Sequence, residues 1–458
     1  MKRIAIAVVI LVVVLAVALP PLFGARARSL MEDQLAAVGE SLAPYAKVEV
    51  SFDDWDAGWY SSTATVWLAV TFDTESLELD AEVVEPLSTT LPKSVTLYHG
   101  PILIRPSRGL GWGSVEFVVD ASVVPELREF EEATGLDYFA RLGVLVGFGG
   151  GLSMGMDMPE FEYTTGESEV PGVEIDFGGL EATAKFGGDG ETVDFDGQFG
   201  GVNATFANML SSWQLAWGRT TWTAKARQDA RIPNLWLGGG KTEVAQVMFS
   251  TGAGETTYEV TDLSIEGDNV IEGDFLVGAN LYEVHELRIM NMALQDLVVD
   301  LAVRYGVDGM ARLMDVAYMD SFDPERQMEM VTDLVRERIH FAINRIGFTH
   351  EDRQALASLA IEFRGDELPD GFEIGPNADF TAMLPLVTAN LDLAFHRELL
   401  GGLGIGQMDG MVQMLAREGI LRESGDDYAL NVGFANGGLT VNGDPFEPFE
   451  LLGLLGGP

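Results

Sequence analysis

Residues 173–199 read VEIDFGGLEATAKFGGDGETVDFDGQF, and this stretch decides the fold class. Apolar side chains lie on alternate positions in three short runs: Val173, Ile175 and Phe177, then Ala182, Ala184 and Phe186, then Val193, Phe195 and Phe199. Glycine pairs or Asp-Gly separate the runs, which begin about ten residues apart. Alternation with glycine turns is typical of successive β-hairpins. The stretch therefore predicts a long antiparallel sheet.

The same pattern continues on both sides of this stretch. Residues 141–290 are rich in glycine and in short alternating runs, and Tyr60 to Phe72 places apolar residues on one face and Ser or Thr on the other. Ser94 to Ile104 and Trp112 to Asp120 are predicted as further strands. We therefore predict a β-rich periplasmic region over residues 29–290, which begins with a helix over Ser29 to Leu42.

The C-terminal part is predicted to contain helices and then a hairpin. Helical spacing of apolar residues over Asp296 to Tyr305 and Pro324 to Ile346 predicts a mainly helical region at residues 291–422. Residues 423–458 are predicted as a closing hairpin, with Asn436-Gly437 as a type I′ turn, followed by an apolar tail. The fold class is therefore α+β, with a large antiparallel sheet and a mainly helical insertion.

Composition excludes several classes of protein. The chain has 458 residues, a net charge of −43 and 47% apolar residues, so it can bury a core, unlike a disordered acidic tail. It has no cysteine, which excludes disulfides, thiolate metal sites and a Cys nucleophile. No cluster of Lys and Arg points to nucleic acid. The dense carboxylates favour a halophilic source, and an acidic protein from a GC-rich genome is the alternative.

The N-terminus carries a targeting signal. After Lys2 and Arg3, the chain is apolar from Ile4 to Leu19 and then reads PPLFG to residue 24. We predict an uncleaved anchor within residues 1–28 that enters the inner membrane through residues 4–24 as a single pass, with the bulk of the chain in the periplasm. A cleavable signal is the alternative, since residues 16–18 and 25–27 have small residues at both ends.

One catalytic pattern occurs in the sequence. Residues 151–155, GLSMG, match the G-x-S-x-G pattern in which Ser153 would be a nucleophile. That pattern needs a strand, a sharp turn and a helix, whereas Met156 to Pro159 is a poor helix start. The match therefore favours a glycine-rich strand or turn.

The histidines give a weaker signal. The five are His99, His285, His340, His350 and His396, and no two form an H-E-x-x-H pair. His99 precedes Gly100-Pro101, where a strand must turn. We predict a structural role for His99 in bonding the turn backbone, with a binding residue or a general base as alternatives.

Acidic clusters and tryptophans complete the candidates. Residues 53–58 and 194–197 are dense in carboxylates, but an EF-hand loop counted from Asp54 would have Thr65 at its last ligand position. Each cluster is predicted as a solvated turn, and no metal, cofactor or catalytic carboxylate pair is assigned. Trp55, Trp59, Trp67 and Trp112 are predicted to pack at the core or its rim, with a groove or lipid headgroups as alternatives.

Four segments together resemble a known family. They are the anchor with its helix, Asp56 to Ala64 (DAGWYSSTA), Tyr98 to Pro101 (YHGP) and Phe434 to Gly443 (FANGGLTVNG). In order and spacing they are similar to the YdgA-like family of bacterial envelope proteins, a domain of unknown function. The resemblance implies an inner-membrane protein that faces the periplasm, and it supplies no catalytic residues.

These features predict a non-enzymatic, membrane-anchored scaffold or binding protein. One-sided apolar strands would form a groove for an acyl chain, a lipid or an apolar peptide segment during envelope assembly. Complete coverage of that face by helices from residues 291–422 would remove the groove. The alternative is a periplasmic hydrolase that uses Ser153 or a pair of carboxylates.

Overall fold

The computed structural model describes residues 46–57, 61–72, 88–99, 111–121, 128–165, 172–188, 191–207, 212–232, 235–252, 255–290, 292–311, 335–369, 383–403 and 409–447. The chain divides into two compact units, residues 1–202 and 203–458. The predicted membrane segment and the helix over residues 29–42 lie outside the described residues. Within them, no helix is long and apolar enough to cross a membrane.

The first unit is an antiparallel sheet. Its elements are β1 (Ala46–Ala57), β2 (Ser61–Phe72), β3 (Ser88–His99), β4 (Gly111–Val119), α1 (Arg128–Thr134), β5 (Ala140–Gly147), β6 (Leu152–Met158), β7 (Phe161–Thr164), β8 (Gly172–Phe177), β9 (Leu180–Phe186) and β10 (Thr192–Phe199). Strands β1 to β6 pair in chain order, β6 also pairs with β9, and β9 with β10. Strands β7 and β8 pair antiparallel with each other. The three predicted strands over residues 173–199 are confirmed, but only β9 and β10 form a hairpin, because β9 pairs with β6 on its other side.

Apolar rows across neighbouring strands build the core of the first unit. Leu97, Val146 and Leu152 are almost fully buried and contact one another, with Trp112 packed against them. A chain of aromatic rings joins α1 to the β7–β8 hairpin, because Phe130 meets Phe161 at 5.0 Å and Phe161 stacks on Phe177 at 4.9 Å. The alternating apolar residues therefore do the packing that their period predicts.

The second unit contains longer strands. After β11 (Val202–Ala207), which begins at the unit boundary, come β12 (Ser212–Trp217), β13 (Thr220–Gln228), β14 (Trp236–Thr251), β15 (Glu255–Glu272), β16 (Phe275–Ile289), β17 (Met292–Gly306), β18 (Arg338–His350), β19 (Arg353–Arg364), β20 (Val387–His396), α2 (Leu399–Gly402), α3 (Asp409–Arg417), β21 (Arg422–Ser424), β22 (Asp427–Ala435), β23 (Gly438–Val441) and β24 (Asp444–Phe446). Strands β12 and β13 both pair with β14. From β14 the strands pair antiparallel in chain order, except that β20 pairs with β22.

The prediction of a mainly helical region at residues 291–422 is wrong. Residues 296–305 lie in β17 and residues 338–346 in β18, whereas residues 312–334 lie outside the described part. Positions four apart share a face in a helix and also in a strand, so Leu297 and Leu301 fit both periods. A register shift between Ile343 and Ile346 adds a three-residue step that imitates helical spacing. The described helical segments of this region are α2, α3, residues 307–311 and short single turns.

The closing hairpin is confirmed. Strands β22 and β23 pair antiparallel around Asn436 and Gly437. Both turn residues have positive φ, 51° and 75°, as a type I′ turn requires.

Candidate functional site

Ser153 lies in the middle of a strand. It pairs with Leu145 of β5 and with Lys185 of β9, and the strand continues to Met158. The strand, turn and helix of a nucleophile elbow are therefore not formed around Ser153, and the prediction of a glycine-rich strand is confirmed.

His99 is buried and contacts a side chain. It is 3% exposed, and its Nε2 lies 3.2 Å from Oγ of Ser62, which is equally buried. The prediction of a structural role fits this burial, but the partner found is a hydroxyl on the neighbouring strand. The two residues come from segments 56–64 and 98–101, so two of the four family-like segments meet at this hydrogen bond.

The acidic clusters lie on strands and not on the predicted turns, but Asp56, Asp194 and Asp196 are exposed, as predicted. Asp53 and Asp56 belong to β1 on either side of a bulge, and Asp194 and Asp196 belong to β10, where they alternate with Phe195. Asp194 and Asp196 alternate with Phe195, and this period of two is that of a strand, which places both carboxylates on one face. No group of three or more His, Asp or Glu that could hold a metal occurs among the described residues.

Trp112 follows the packing prediction. It contacts the core of the first unit and donates its indole N–H to the carbonyl oxygen of Phe148 at 3.2 Å. Trp55 and Trp67 lie on β1 and β2, and Trp59 lies outside the described residues.

The strongest candidate for a binding surface is one face of the sheet in the second unit. Cross-strand pairing from β15 to β22 aligns apolar residues in rows. We call this surface the central apolar face; its rows contain Ile265, Tyr282, Val299, Ile346, Ala357, Leu393 and Leu430; Leu301, Ile343, Leu359, Leu391 and Val432; Val303, Phe341, Ile361, Ala389 and Phe434; and Ile271, Leu276, Tyr305, Ile339, Phe363 and Val387. None of these positions is charged.

The opposite face of the same strands carries the charged residues, among apolar ones such as Val270 and Leu281. Glu266, Asp300 and Arg345 lie in one of its rows, and Arg304, His340 and Glu362 lie in another. Charged residues are therefore confined to one side of these strands, as expected of an antiparallel sheet with one wet face.

The middle of the central apolar face is open. None of the side chains that define it is buried, and Tyr282 and Val303 are 37% and 38% exposed. In a covered sheet such residues would be almost fully buried. The described helices of residues 291–422 therefore do not cover this face completely.

Both ends of the central apolar face are partly covered. At one end Ile232, Leu235 and Val307 form a buried cluster that packs against Ile271 and Leu276. At the other end Val412 of α3, with Leu421 and Tyr428, packs against Phe395 and Leu430. The open middle therefore lies between two packed ends.

A line of irregular pairing crosses β14 to β17 at one border of this face. Regular pairs are interrupted at Ala245, Asp262, His285 and Asp296, one residue in each strand, and we call this the dislocation line. Asp262 and Asp296 have φ of 50° and 51°, in the left-handed region. The apolar alternation changes phase here, from odd positions such as Leu263 to even positions such as Val260 in β15. Sequence reasoning missed this line, although the phase change was visible.

The polar groups along the dislocation line are exposed. Nδ1 of His285 lies 3.5 Å from Oδ1 of Asp296, and both side chains are more than half exposed. Arg219, Glu243 and Asp262 line an adjacent cleft of about 460 Å³. Water screens such pairs, so this arrangement offers weak ion pairing and no desolvated catalytic group.

His350 connects β17 with α2 at one end of the sheet. It is 6% exposed, with Nδ1 at 2.7 Å from the carbonyl oxygen of Ala293 and Nε2 at 3.1 Å from that of Gly402. The ring therefore holds the start of β17 and the end of α2 together, a role that the sequence did not indicate.

Arginines at the borders of the central apolar face are already paired. Arg338 binds Asp366, whose hydrogen bond and charge raise the pKa of the guanidinium. Arg353 binds Glu351 and Glu398, and the hydrogen bond to Glu351 raises its pKa. These borders therefore offer no excess of positive charge.

A family of bacterial proteins described as being of unknown function, DUF945, matches residues 1–449 of the chain. This match confirms the family resemblance seen in the sequence. No curated protein and no solved structure matches the chain.

Proposed function

The chain belongs to the DUF945 family of bacterial proteins of unknown function, and we propose that it is a membrane-anchored binding protein of the cell envelope. Its anchor would be residues 4–24 in the inner membrane, with the sheet on the periplasmic side. The central apolar face would hold an elongated apolar ligand during envelope assembly.

One observation supports this proposal. The central apolar face has no charged position and no buried side chain in its defining rows, although the chain as a whole is 22% charged. A contiguous apolar surface that is only partly buried, with Tyr282 and Val303 exposed, is unfavourable in water and is typical of ligand or partner sites. No second function is proposed, because Ser153 lies in a regular strand and no geometry of the described residues favours hydrolysis.

Site-specific photo-crosslinking tests the proposal in bacterial cells that produce the full chain. A photoreactive amino acid replaces Val303 on the central apolar face or, as the matched control, Val270 on the opposite face. The two valines are 38% and 39% exposed, so they differ in face and not in accessibility.

We expect a covalent adduct at position 303 and little at position 270. Mass spectrometry of the adduct would show whether the attached molecule is a lipid or a polypeptide. Equal labelling at both positions, or none at position 303, would contradict the proposal.

A further inference from the structure

The size of the central apolar face limits what can cover it. Seven strands about 4.8 Å apart, with about seven residues of each strand at about 3.3 Å, give an area of roughly 800 Å². A single acyl chain is about as wide as the spacing of two strands and would leave most of this area wet. A typical protein–protein interface buries about 800 Å² on each partner. The area therefore fits a polypeptide partner.

Charge argues against a second copy of this chain. Each copy carries a net charge of −43, and two such surfaces repel each other over about 10 Å at 0.1 M salt. The same field repels an anionic lipid headgroup. The partner that the charge favours is cationic.

The local borders lead to the same conclusion. Arg338, Arg353 and Arg364 each form an ion pair with at least one carboxylate of this chain. Asp262 and Asp296 are exposed on the dislocation line. A partner therefore meets carboxylates around an apolar surface.

We infer that the central apolar face binds a basic amphipathic polypeptide segment, with apolar side chains on one side and Lys or Arg at its margins. This inference rests on the proposed function and names the class of its ligand. The apolar side of the segment would lie across the open middle of the sheet, and its cations would meet the acidic borders. The acidic borders increase the association rate of a cationic segment and disfavour acidic partners.

The test is a titration with two designed peptides. Both have the same apolar stripe of leucines, and one carries lysines where the other carries glutamates. The full chain is held in nanodiscs of zwitterionic lipid, and empty nanodiscs provide the background to be subtracted. Fluorescence anisotropy gives the Kd of each labelled peptide at about 0.02 M and at 1 M NaCl, where screening is nearly complete.

We expect the lysine peptide to bind at least about tenfold more tightly than the glutamate peptide at low salt, and the difference to shrink strongly at 1 M. Val303→Asn should weaken binding of the lysine peptide by about tenfold, because it places an amide in the apolar contact. Val270→Asn, on the opposite face, should leave the Kd unchanged. Both valines are partly exposed, so neither substitution opens a core cavity.

Other results overturn the inference in distinguishable ways. Binding that is insensitive to Val303→Asn would mean that the lysine peptide attaches to the acidic surface without using this face. Equal affinity for both peptides would remove the cationic requirement. A lipid adduct at position 303 without peptide binding would leave the proposed function standing and refute the polypeptide. Sedimentation that shows a dimer lost in Val303→Asn would identify a second copy instead.

Discussion

His350 offers the sharpest test of how the second unit holds its end together. Its ring lies between two carbonyl oxygens, at 2.7 Å from that of Ala293 and 3.1 Å from that of Gly402. Carbonyl oxygens only accept hydrogen bonds, so the ring must donate to each oxygen that it binds. His350→Phe keeps an aromatic ring in a site that is 6% exposed and removes both nitrogens.

The expected loss can be estimated from the two acceptors. A buried carbonyl left without its donor costs about 1–3 kcal/mol. A neutral ring carries one N–H and a charged ring two, so between one and two bonds disappear. Only the bond to Gly402 holds α2, so we expect α2 to loosen from the sheet by about 1–3 kcal/mol, which corresponds to a rise of about 5-fold to about 150-fold in its local opening equilibrium.

Hydrogen exchange followed by mass spectrometry measures this opening. Amides of residues 399–403 should exchange faster in His350→Phe than in the unmodified chain, while those of the first unit keep their protection. His285→Phe is the control, because the His285 side chain is 65% exposed and should change stability by less than about 0.5 kcal/mol. Unchanged exchange at residues 399–403 would refute the reasoning that His350 holds α2.

Three further predictions concern ionisation, backbone conformation and salt. The hydrogen bond to Asp157 raises the pKa of Tyr138. The stabilisation from this hydrogen bond is therefore present below the usual tyrosine pKa and is lost as pH rises through the raised value. Asp157→Ala should lower the pKa of Tyr138 in an alkaline absorbance titration. Asp262→Val should destabilise the chain by about 1–2 kcal/mol in urea unfolding, because a β-branched residue strongly disfavours positive φ, whereas Asp268→Val in the same strand should be near neutral. The melting temperature should rise between about 0.01 M and 1 M NaCl, since the Debye length falls from about 30 Å to about 3 Å; a flat profile would contradict the halophilic interpretation.

Strict alternation of polar and apolar residues predicted the strands correctly. The runs ending at Phe177, Phe186 and Phe199 each became a strand, and the last two pair as the expected hairpin. The Asn436-Gly437 hairpin was equally readable, because its turn type depends on two adjacent residues. Local signals are sufficient for such elements.

The helical prediction failed because it relied on Leu297 and Leu301, whose spacing fits both a helix and a strand. The apolar residues of β17 include Val299 and Val303, which lie two positions from Leu301 and fit only a strand. In β18 the register shift after Ile343 cannot be read from one strand alone, since it depends on how the neighbour pairs. Local spacing was therefore sufficient to identify β17, whereas β18 depended on long-range pairing.

The sequence predicted an apolar sheet face as the candidate site, but it did not predict where on the sheet that face lies. One-sided strands implied an apolar face, yet the sequence could not show which rows stay open between two packed ends. The contact between Ser62 and His99 required the register of β2 with β3, and that between His350 and Gly402 joins residues 52 positions apart. Such contacts follow from topology.

The dislocation line explains why the central apolar face is limited in length. Strands β14 to β17 have 15 to 18 residues, and a sheet of such long strands accumulates a strong twist. Irregular residues at the same level in neighbouring strands interrupt the regular pairing there, and Asp262 and Asp296 place exposed carboxylates on the dislocation line. From Leu263 to the turn after Glu272, β15 then provides about ten residues, or about 33 Å, for contact. A bound segment that extends farther must therefore cross carboxylates, which is a reason for it to carry cations at that end.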